Sequence, residues 1–197
     1  MTSSQNQHIL QSQWVYKIKC SADSQIIHYK ACWVVKKYEQ KFNVDYNQTF
    51  VSVIKSQTYK ALFVLMTHFN LKTDQINIII IFLYSSIDQI IYVKLLHSYR
   101  LSDKIVLLNK AFYDLKQSSH LWYKILFDCL ISLRFQCSEL NHSIFLKNSI
   151  IITIYVDNLL LIDSSKSVIK CVKNKLNSAF NMTNLRSVTN YLSMQIK

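Results

Sequence analysis

The sequence of 197 residues contains no glycine and no proline. At average usage of about 7% and 5%, a chain of this length would carry about 14 glycines and 10 prolines, so their joint absence is not a chance result. Folded proteins need residues at positive φ in turns and at close backbone approaches, where glycine has the lowest steric cost. Selection for folding alone would not remove every glycine, so a separate process must have removed both residue types.

The chain also lacks the patterns typical of zinc sites, membrane spans and secretion. Its five cysteines form no Cys-x-x-Cys pair, and its six histidines stand at no metal-like spacing from them. This argues against a zinc site and fits a reducing, intracellular compartment. The longest apolar runs, Ile76–Tyr84 and Ile150–Val156, fall well short of the roughly 20 residues that span a bilayer. The N-terminus is polar and carries no signal peptide.

Positive charge is the strongest compositional feature, with 23 Lys and Arg against 11 Asp and Glu and a formal net charge of +12. Basic chains gain affinity for polyanions by releasing counterions, which predicts nucleic acid or an anionic membrane surface as a partner. Two predicted strands, Trp14–Cys20 and Ile26–Tyr38, form a basic, aromatic hairpin that could follow a phosphate backbone. A solvated sheet edge protected by lysine is an equally good interpretation. The lysines concerned are Lys17, Lys19, Lys30, Lys36 and Lys37.

The stretch from Ile150 to Asp163, reading IIITIYVDNLLLID, is the most informative part of the sequence. Two apolar runs flank the polar pair Asp157 and Asn158, which predicts a β-hairpin with both strands buried and a carboxylate at its tip. Asn and Asp tolerate the positive φ of tight hairpin turns. Such a hairpin could present a metal-binding aspartate, or it could be a surface hairpin whose Asp157 only makes the turn soluble.

Residue periodicity predicts an α+β fold with helices packed on one face of a mostly antiparallel sheet. Residues 1–13 are predicted to be a frayed lead-in. The helix at Ser56–Phe69 is expected to bury positions 58, 61, 62, 65, 66 and 69, at close to the helical period. The other predicted elements are helices at Ser119–Phe135 and Ser167–Phe180 and strands at Gln75–Phe82, Ile90–Val93, Ile105–Leu108 and Asn190–Ile196.

Seven collinear stretches resemble the reverse transcriptase domain of copia-type LTR retrotransposons. They are WVYKIK (14–19), YKACWVVKKYEQKFNVDYNQTF (29–50), FLYSSIDQIIYVK (82–94), LNKAFYDLKQSSHLWY (108–123), NHSIF (141–145), YVDN (155–158) and FNMTNLRSVTNYLSMQI (180–196). The resemblance implies one reverse transcriptase domain over residues 14–197 with the right-hand polymerase fold. The fingers would cover about 14–60 and the palm about 61–197, with thumb and RNase H absent.

The same resemblance implies the site and its ligands: an RNA template, a DNA primer, a dNTP and two Mg²⁺ ions, with no membrane partner. Asn77 stands two residues after Gln75, where the family has its first metal-binding aspartate, and Asp157 and Asn158 stand where it has two more. One carboxylate of three therefore remains among the implied catalytic and metal-binding residues. Implied nucleotide contacts are Tyr113, Lys116, Gln117 and Tyr155. Implied nucleic-acid contacts are Lys17, Lys30, Lys36 and Lys37.

The departures from the family share one pattern. Lys37, Asn43, Ser85, Ser98, Asp114, Arg134, Asp163, Arg186 and Ser193 stand where the family tends to have glycine. Each of these changes, and each Asp-to-Asn change, follows from one or two G-to-A or C-to-T mutations. The sequence thus suggests a hypermutated retrotransposon copy that is catalytically inactive. The alternatives are a nucleic-acid-binding remnant without catalysis and an unrelated basic α+β protein.

Overall fold

A computed structural model describes residues 8–20, 24–96, 104–185, 190–191 and 194–195. The chain divides into two compact units, each built from two stretches of sequence. The first comprises Met1–Phe50 and Phe82–Trp122, and the second Val51–Ile81 and Tyr123–Lys197. The first unit thus takes in residues that the sequence assigned to the palm. The division into fingers and palm stays a prediction.

The elements confirm the predicted α+β class. In chain order they are β1 (Ile9–Cys20), β2 (Ile26–Val35), a 3₁₀ turn (Lys37–Glu39), α1 (Ser56–His68), β3 (Lys72–Ile78), a second 3₁₀ turn (Ile81–Tyr84), β4 (Tyr92–Lys94), β5 (Ile105–Leu107), α2 (Ser118–Ser132), β6 (Gln136–Cys137), β7 (Ile144–Lys147), β8 (Ile150–Tyr155), β9 (Asn158–Asp163), α3 (Lys166–Ala179), β10 (Met182–Leu185), β11 (Asn190–Tyr191) and β12 (Met194–Gln195). Over the described ranges, no helix has the length and apolar character needed to cross a membrane.

The first unit contains a four-stranded sheet in the order β2-β1-β4-β5. Strands β1 and β2 form the predicted basic hairpin, and β1 also pairs in parallel with β4. The sheet packs through one buried cluster formed by Leu10, Val35, Ile91, Val93 and Leu115. The predicted frayed lead-in is wrong for residues 9–13, because β1 begins at Ile9 and Leu10 is fully buried.

The second unit contains a six-stranded antiparallel sheet in the order β10-β3-β9-β8-β7-β6. On one face, Leu160 and Ile162 of β9 pack in a cluster with Leu62 and Met66 of α1. Successive side chains of a strand point to opposite faces, and the alternate residues of β9, 159 and 161, are buried too. The sheet is therefore covered on both faces at β9, whereas the sequence predicted helices on one face only.

Several elements differ in detail from the prediction. Helix α1 leaves Leu65 and Phe69 exposed, and it packs through Tyr59, Leu62, Phe63 and Met66 instead. The strand predicted at Gln75–Phe82 runs over Lys72–Ile78 instead. Residues 79 and 80 form a turn that leads into the second 3₁₀ segment. The single C-terminal strand is replaced by the short paired strands β11 and β12.

Backbone dihedrals show where glycine is missing. Asn43, Asp114 and Arg134, three positions at which the resemblance expects glycine, have φ of 60°, 68° and 65°. Lys37, Ser85 and Asp163 are not among the residues with positive φ, and Ser98, Arg186 and Ser193 lie outside the described residues. The other positive values fall on Ser24, Asn70, Ile80, Asn148 and Val156.

Asp74 joins β3 to helix α3. Its carboxylate accepts from Lys166 Nζ at 2.8 Å and from Lys173 Nζ at 2.7 Å. Burial alone would raise the pKa of Asp74, but the hydrogen bonds and charges of the two lysines outweigh it and hold the pKa below its ordinary value of 3.8.

The lowered pKa gives a testable pH dependence. A carboxyl whose folded pKa lies below its unfolded value stabilises the fold above the unfolded value and loses that contribution as pH falls through the folded pKa. We expect the urea midpoint of the unaltered chain to fall more steeply below about pH 4 than that of Asp74→Asn. Asp128→Asn, a substitution of an exposed carboxylate on α2, is the control and should keep the slope of the unaltered chain. Equal slopes for all three proteins would contradict the ion pair.

Candidate functional site

The tip of the β8–β9 hairpin presents Asp157. Tyr155 pairs opposite Asn158, which leaves Val156 and Asp157 as a two-residue turn and confirms the predicted hairpin. The predicted turn chemistry is wrong, since the positive φ falls on Val156, at 57°, and on neither Asp157 nor Asn158. A β-branched residue strongly disfavours that conformation. The buried strands on either side, and not local preference, must therefore hold this turn.

Strand β3 brings Asn77 to the same tip. It pairs antiparallel with β9 and places Asn77 opposite Asn158. The backbone N–H of Ile78 donates to the carbonyl oxygen of Asp157 at 2.9 Å. The structure thus brings together the three residues that the sequence predicted as a catalytic and metal-binding group, although about two fifths of the chain separates Asn77 from the other two.

The side-chain amides of Asn158 and Gln75 donate the hydrogen bonds among these side chains. Asn158 Nδ2 donates to Asp157 Oδ1 at 2.8 Å, and Gln75 Nε2 donates to Asn158 Oδ1 at 3.2 Å. The Oδ1 atom of Asn77 is buried with no hydrogen-bond partner. Sequence reasoning used Gln75 only to locate Asn77 and missed its contact with Asn158, which follows from their positions on adjacent strands.

The first unit contains a cavity of about 440 Å³ with two lysines in its wall. Lys116 Nζ lies 3.1 Å from the carbonyl oxygen of Gln40, 3.3 Å from Tyr46 Oη and 4.8 Å from the centre of the Tyr46 ring. Lys37 Nζ lies 3.6 Å from Asp114 Oδ1. The lining residues are Lys37, Tyr46, Thr49, Phe82, Tyr113, Asp114, Leu115, Lys116 and Ser119.

A buried polar network supports Lys116. Gln40 Nε2 donates to Gln117 Oε1 at 3.0 Å, Gln117 Nε2 donates to the carbonyl oxygen of Asp45 at 2.8 Å, and the backbone N–H of Lys116 donates to Gln40 Oε1 at 2.8 Å. Asp45 in turn accepts from the backbone N–H of Lys41 at 2.7 Å and contacts His8 Nδ1 at 2.8 Å. Sequence reasoning missed Gln40 and Asp45 because no local signal marks a polar residue that will be buried.

The basic hairpin presents Lys17 directly opposite Lys30, and both are exposed. Like charges directly opposite each other across a strand pair are destabilising unless an anion lies near them. Of the other predicted nucleic-acid contacts, Lys36 follows the end of β2 and its N–H donates to the Gln11 carbonyl oxygen at 2.9 Å. Lys37 is already paired with Asp114.

Comparison with known proteins decides the family. The profile described as "Reverse transcriptase (RNA-dependent DNA polymerase)" matches residues 1–197. The chain belongs to this reverse transcriptase family. The copia-type reverse transcriptase domain predicted from the seven collinear stretches is confirmed by that match and by its relatives, which are polyproteins of transposons.

Three relatives show how much of such a polyprotein this reverse transcriptase domain represents. The Retrovirus-related Pol polyprotein from transposon TNT 1-94 of Nicotiana tabacum is 28% identical over 195 residues, which cover 95% of this chain and 15% of the relative. The Pol polyproteins from transposons RE1 and RE2 of Arabidopsis thaliana are 24% and 25% identical over 196 residues, or 96% of this chain and 13% and 14% of theirs. The chain thus spans about one seventh of the length of these relatives.

Reverse transcriptases use divalent metal ions. The residues at the hairpin tip do not fit a pair of such ions. Mg²⁺ prefers carboxylate oxygens and substrate phosphates. Here Asp157 is the single carboxylate of the three residues, and the amide of Asn158 donates to one of its oxygens. Among the described residues, no group of three or more His, Cys, Asp or Glu could hold a metal ion. The buried Oδ1 of Asn77 is an available oxygen ligand, but it carries no charge.

The predicted nucleotide contacts are divided between the two units. Tyr113 and Lys116 line the 440 Å³ cavity of the first unit, whereas Tyr155 lies in the second and packs against the cluster around Leu160. Gln117 is only 1% exposed, and both ends of its amide are hydrogen-bonded within the protein. The structure thus gives Gln117 a supporting position beneath Lys116, and its contact with a nucleotide stays a prediction.

Proposed function

We propose that this domain descends from an active RNA-directed DNA polymerase and has lost catalysis through replacement of two metal-binding aspartates. The observation that carries the proposal is the grouping of Asn77 of β3 with Asp157 and Asn158 at the tip of the β8–β9 hairpin. An active ancestor would have had three carboxylates there. Its ligands would have been an RNA template, a DNA primer, a dNTP and Mg²⁺.

The two missing carboxylate charges explain why the loss of catalytic rate is severe. A two-metal centre holds two dications against the negative charge of its ligands. At an effective dielectric constant of about 20, each carboxylate lost from about 4 Å removes roughly 4 kcal/mol of attraction. Even half of the sum for two carboxylates corresponds to about a thousandfold in rate. An amide oxygen can coordinate a metal, but it supplies none of this charge.

The proposal is tested by primer extension. The unaltered chain is incubated with a DNA primer annealed to an RNA template, all four dNTPs and either Mg²⁺ or Mn²⁺. We expect no extension with either ion. Efficient extension by the unaltered chain would contradict the proposed inactivity, whereas the family membership would stand.

The hypermutation hypothesis also gains support from the backbone. Asn43, Asp114 and Arg134, which replace expected glycines, adopt the positive φ that glycine tolerates best. Asn, Asp and Arg codons each arise from glycine codons by G-to-A changes. Sequencing the gene tests the hypothesis, because a GC-rich reading frame would contradict it.

The exposed Lys17 and Lys30 pair favours a second candidate function, a nucleic-acid-binding remnant without catalysis. An anion lying between two directly opposed lysines would relieve their repulsion. In this candidate the basic hairpin β1–β2 is a remainder of the polymerase fingers, and it binds RNA–DNA hybrid through phosphates.

Salt dependence tests this candidate. If Lys17 and Lys30 each neutralise one phosphate, Lys17→Gln with Lys30→Gln should reduce the slope of log affinity against log salt by about 1.8 for an RNA–DNA hybrid. The control is Lys170→Gln with Lys175→Gln, an equal loss of charge on exposed positions of α3. Equal slopes for the two double variants would show that only net charge matters and would exclude the hairpin as the interface. Fluorescence anisotropy at four or more salt concentrations supplies the slopes.

A further inference from the structure

The cavity of the first unit has the chemistry of an anion site. Two lysines and two residues with aliphatic hydroxyl groups line it, namely Lys37, Lys116, Thr49 and Ser119. Ser119 also belongs to the first turn of α2, a turn that contains no acidic residue, and the start of a helix favours negative charge. A volume of about 440 Å³ is sufficient for a polyphosphate group.

Lys116 is held in place before any ligand arrives. Its ammonium contacts the Gln40 carbonyl oxygen and the Tyr46 hydroxyl, and its backbone N–H is bound by the buried Gln40 side chain. Gln40 and Gln117 are 4% and 1% exposed and bond to each other, so the support beneath the lysine is rigid. A charge fixed in this way loses little entropy when it binds an anion.

Asp114 places a negative charge in the wall of this cavity, which disfavours an anion. Its carboxylate lies 3.6 Å from Lys37 Nζ, and its backbone has φ of 68°. The same residue, together with Tyr113, also lines a second cavity of about 180 Å³, and Lys17 and Lys30 line that cavity too. One negative charge is therefore shared by both cavities and is paired with one of the lysines that an anion would need.

We infer that Asp114 is a built-in competitor that keeps polyphosphate out of this cavity by occupying Lys37 and repelling an incoming anion. This rests on the proposed function, since the anion would be the polyphosphate of a nucleotide. Asp114 would then be a second cause of lost activity, located in the first unit and independent of the aspartates lost from the second. Substitution of Asn at this position would keep the size of the side chain and its tolerance of positive φ while removing the charge.

The experiment measures binding of inorganic tripolyphosphate to the full chain by calorimetry, without metal, primer or template. We expect Asp114→Asn to lower the dissociation constant at least about tenfold, because one repulsive charge is removed and Lys37 is released. Asp114→Gly should do the same and also relieves the backbone, so it serves if the first variant folds poorly. Adding Lys116→Gln to Asp114→Asn should abolish the gain.

Asp88→Asn is the matched control, because Asp88 is exposed, lies in the same unit and lines neither cavity. Equal tightening by Asp88→Asn and Asp114→Asn would reduce the effect to net charge and overturn the inference. Unchanged affinity in both Asp114 variants, or a gain that survives Lys116→Gln, would overturn it as well. Since nothing is polymerised in this assay, tighter binding of tripolyphosphate can be measured whether or not a variant extends primers, so failure of this inference and failure of the proposed inactivity are distinguishable.

Discussion

In chains that both carry Asp114→Asn, adding Asn77→Asp with Asn158→Asp is expected to raise Mg²⁺-dependent primer extension by about a thousandfold. The register of β3 and β9 sets Asn77 opposite Asn158, next to Asp157, so the double variant would group three carboxylates at one hairpin tip. Each single variant should show a much smaller gain in primer extension, because two carboxylates supply too little negative charge to hold two Mg²⁺ ions. Extension of a labelled primer on an RNA template measures the rate.

The same double variant should also become dependent on metal for its stability. Asn158 now donates to Asp157 at 2.8 Å, and Asn158→Asp replaces this hydrogen bond with repulsion between two carboxylates. We expect a lower melting temperature than that of the unaltered chain without metal, and a rise on addition of Mg²⁺ that the unaltered chain does not show. A ligand that binds only the folded state stabilises it by RT ln(1 + [L]/Kd), where [L] is the free ligand concentration.

The control adds the same two negative charges elsewhere. Asn174 and Asn177 are exposed on α3, so Asn174→Asp with Asn177→Asp matches the change in net charge. We expect this variant to extend primers no better than the unaltered chain and to show no stabilisation by Mg²⁺. If the hairpin variant gains neither Mg²⁺-dependent stability nor extension while remaining folded, these three positions do not form the metal site.

Restoring glycine at Asp114 and Arg134 together is expected to raise the free energy of unfolding by about 1–2 kcal/mol, most of it from Arg134, because Asp tolerates positive φ better than Arg. Arg134 shows the reason most clearly. Phe135 N–H donates to the Leu130 carbonyl oxygen at 3.0 Å and Arg134 N–H to that of Ile131 at 2.8 Å. These two bonds form a Schellman motif at the end of α2, and its left-handed position usually holds glycine. Urea unfolding monitored by circular dichroism supplies the free energy.

Two other glycine substitutions separate backbone relief from a general benefit of glycine. Asp163 also replaces an expected glycine, but it lacks positive φ and its buried carboxylate accepts from Ser149 Oγ at 2.6 Å and Ser165 N–H at 2.7 Å. Asp163→Gly should therefore destabilise the chain by about 1–3 kcal/mol. Asn70 holds the equivalent left-handed position after α1, and Asn tolerates it, so Asn70→Gly should change stability by only roughly a few tenths of a kcal/mol. Equal effects at Arg134 and Asp163 would contradict the backbone explanation.

Local patterns predicted most of the elements. The basic hairpin β1–β2, the hairpin β8–β9 and all three helices could be predicted because hydrophobic periodicity and turn residues are local properties. The sequence was a poorer guide to which face of a helix is buried. Leu65 and Phe69 fit the helical period of α1 and are nevertheless exposed, because the surface that α1 packs against decides which face is buried.

The sequence by itself determined the family, the α+β class and the charge of the candidate site, since these depend on residue identity and on local patterns. Tertiary structure alone decided that Asn77 lies opposite Asn158, that Gln117 is buried beneath Lys116 and that Asp114 pairs with Lys37. These contacts join residues far apart in the chain. They depend on strand register and on which side chains are buried, and both are set by packing between distant segments.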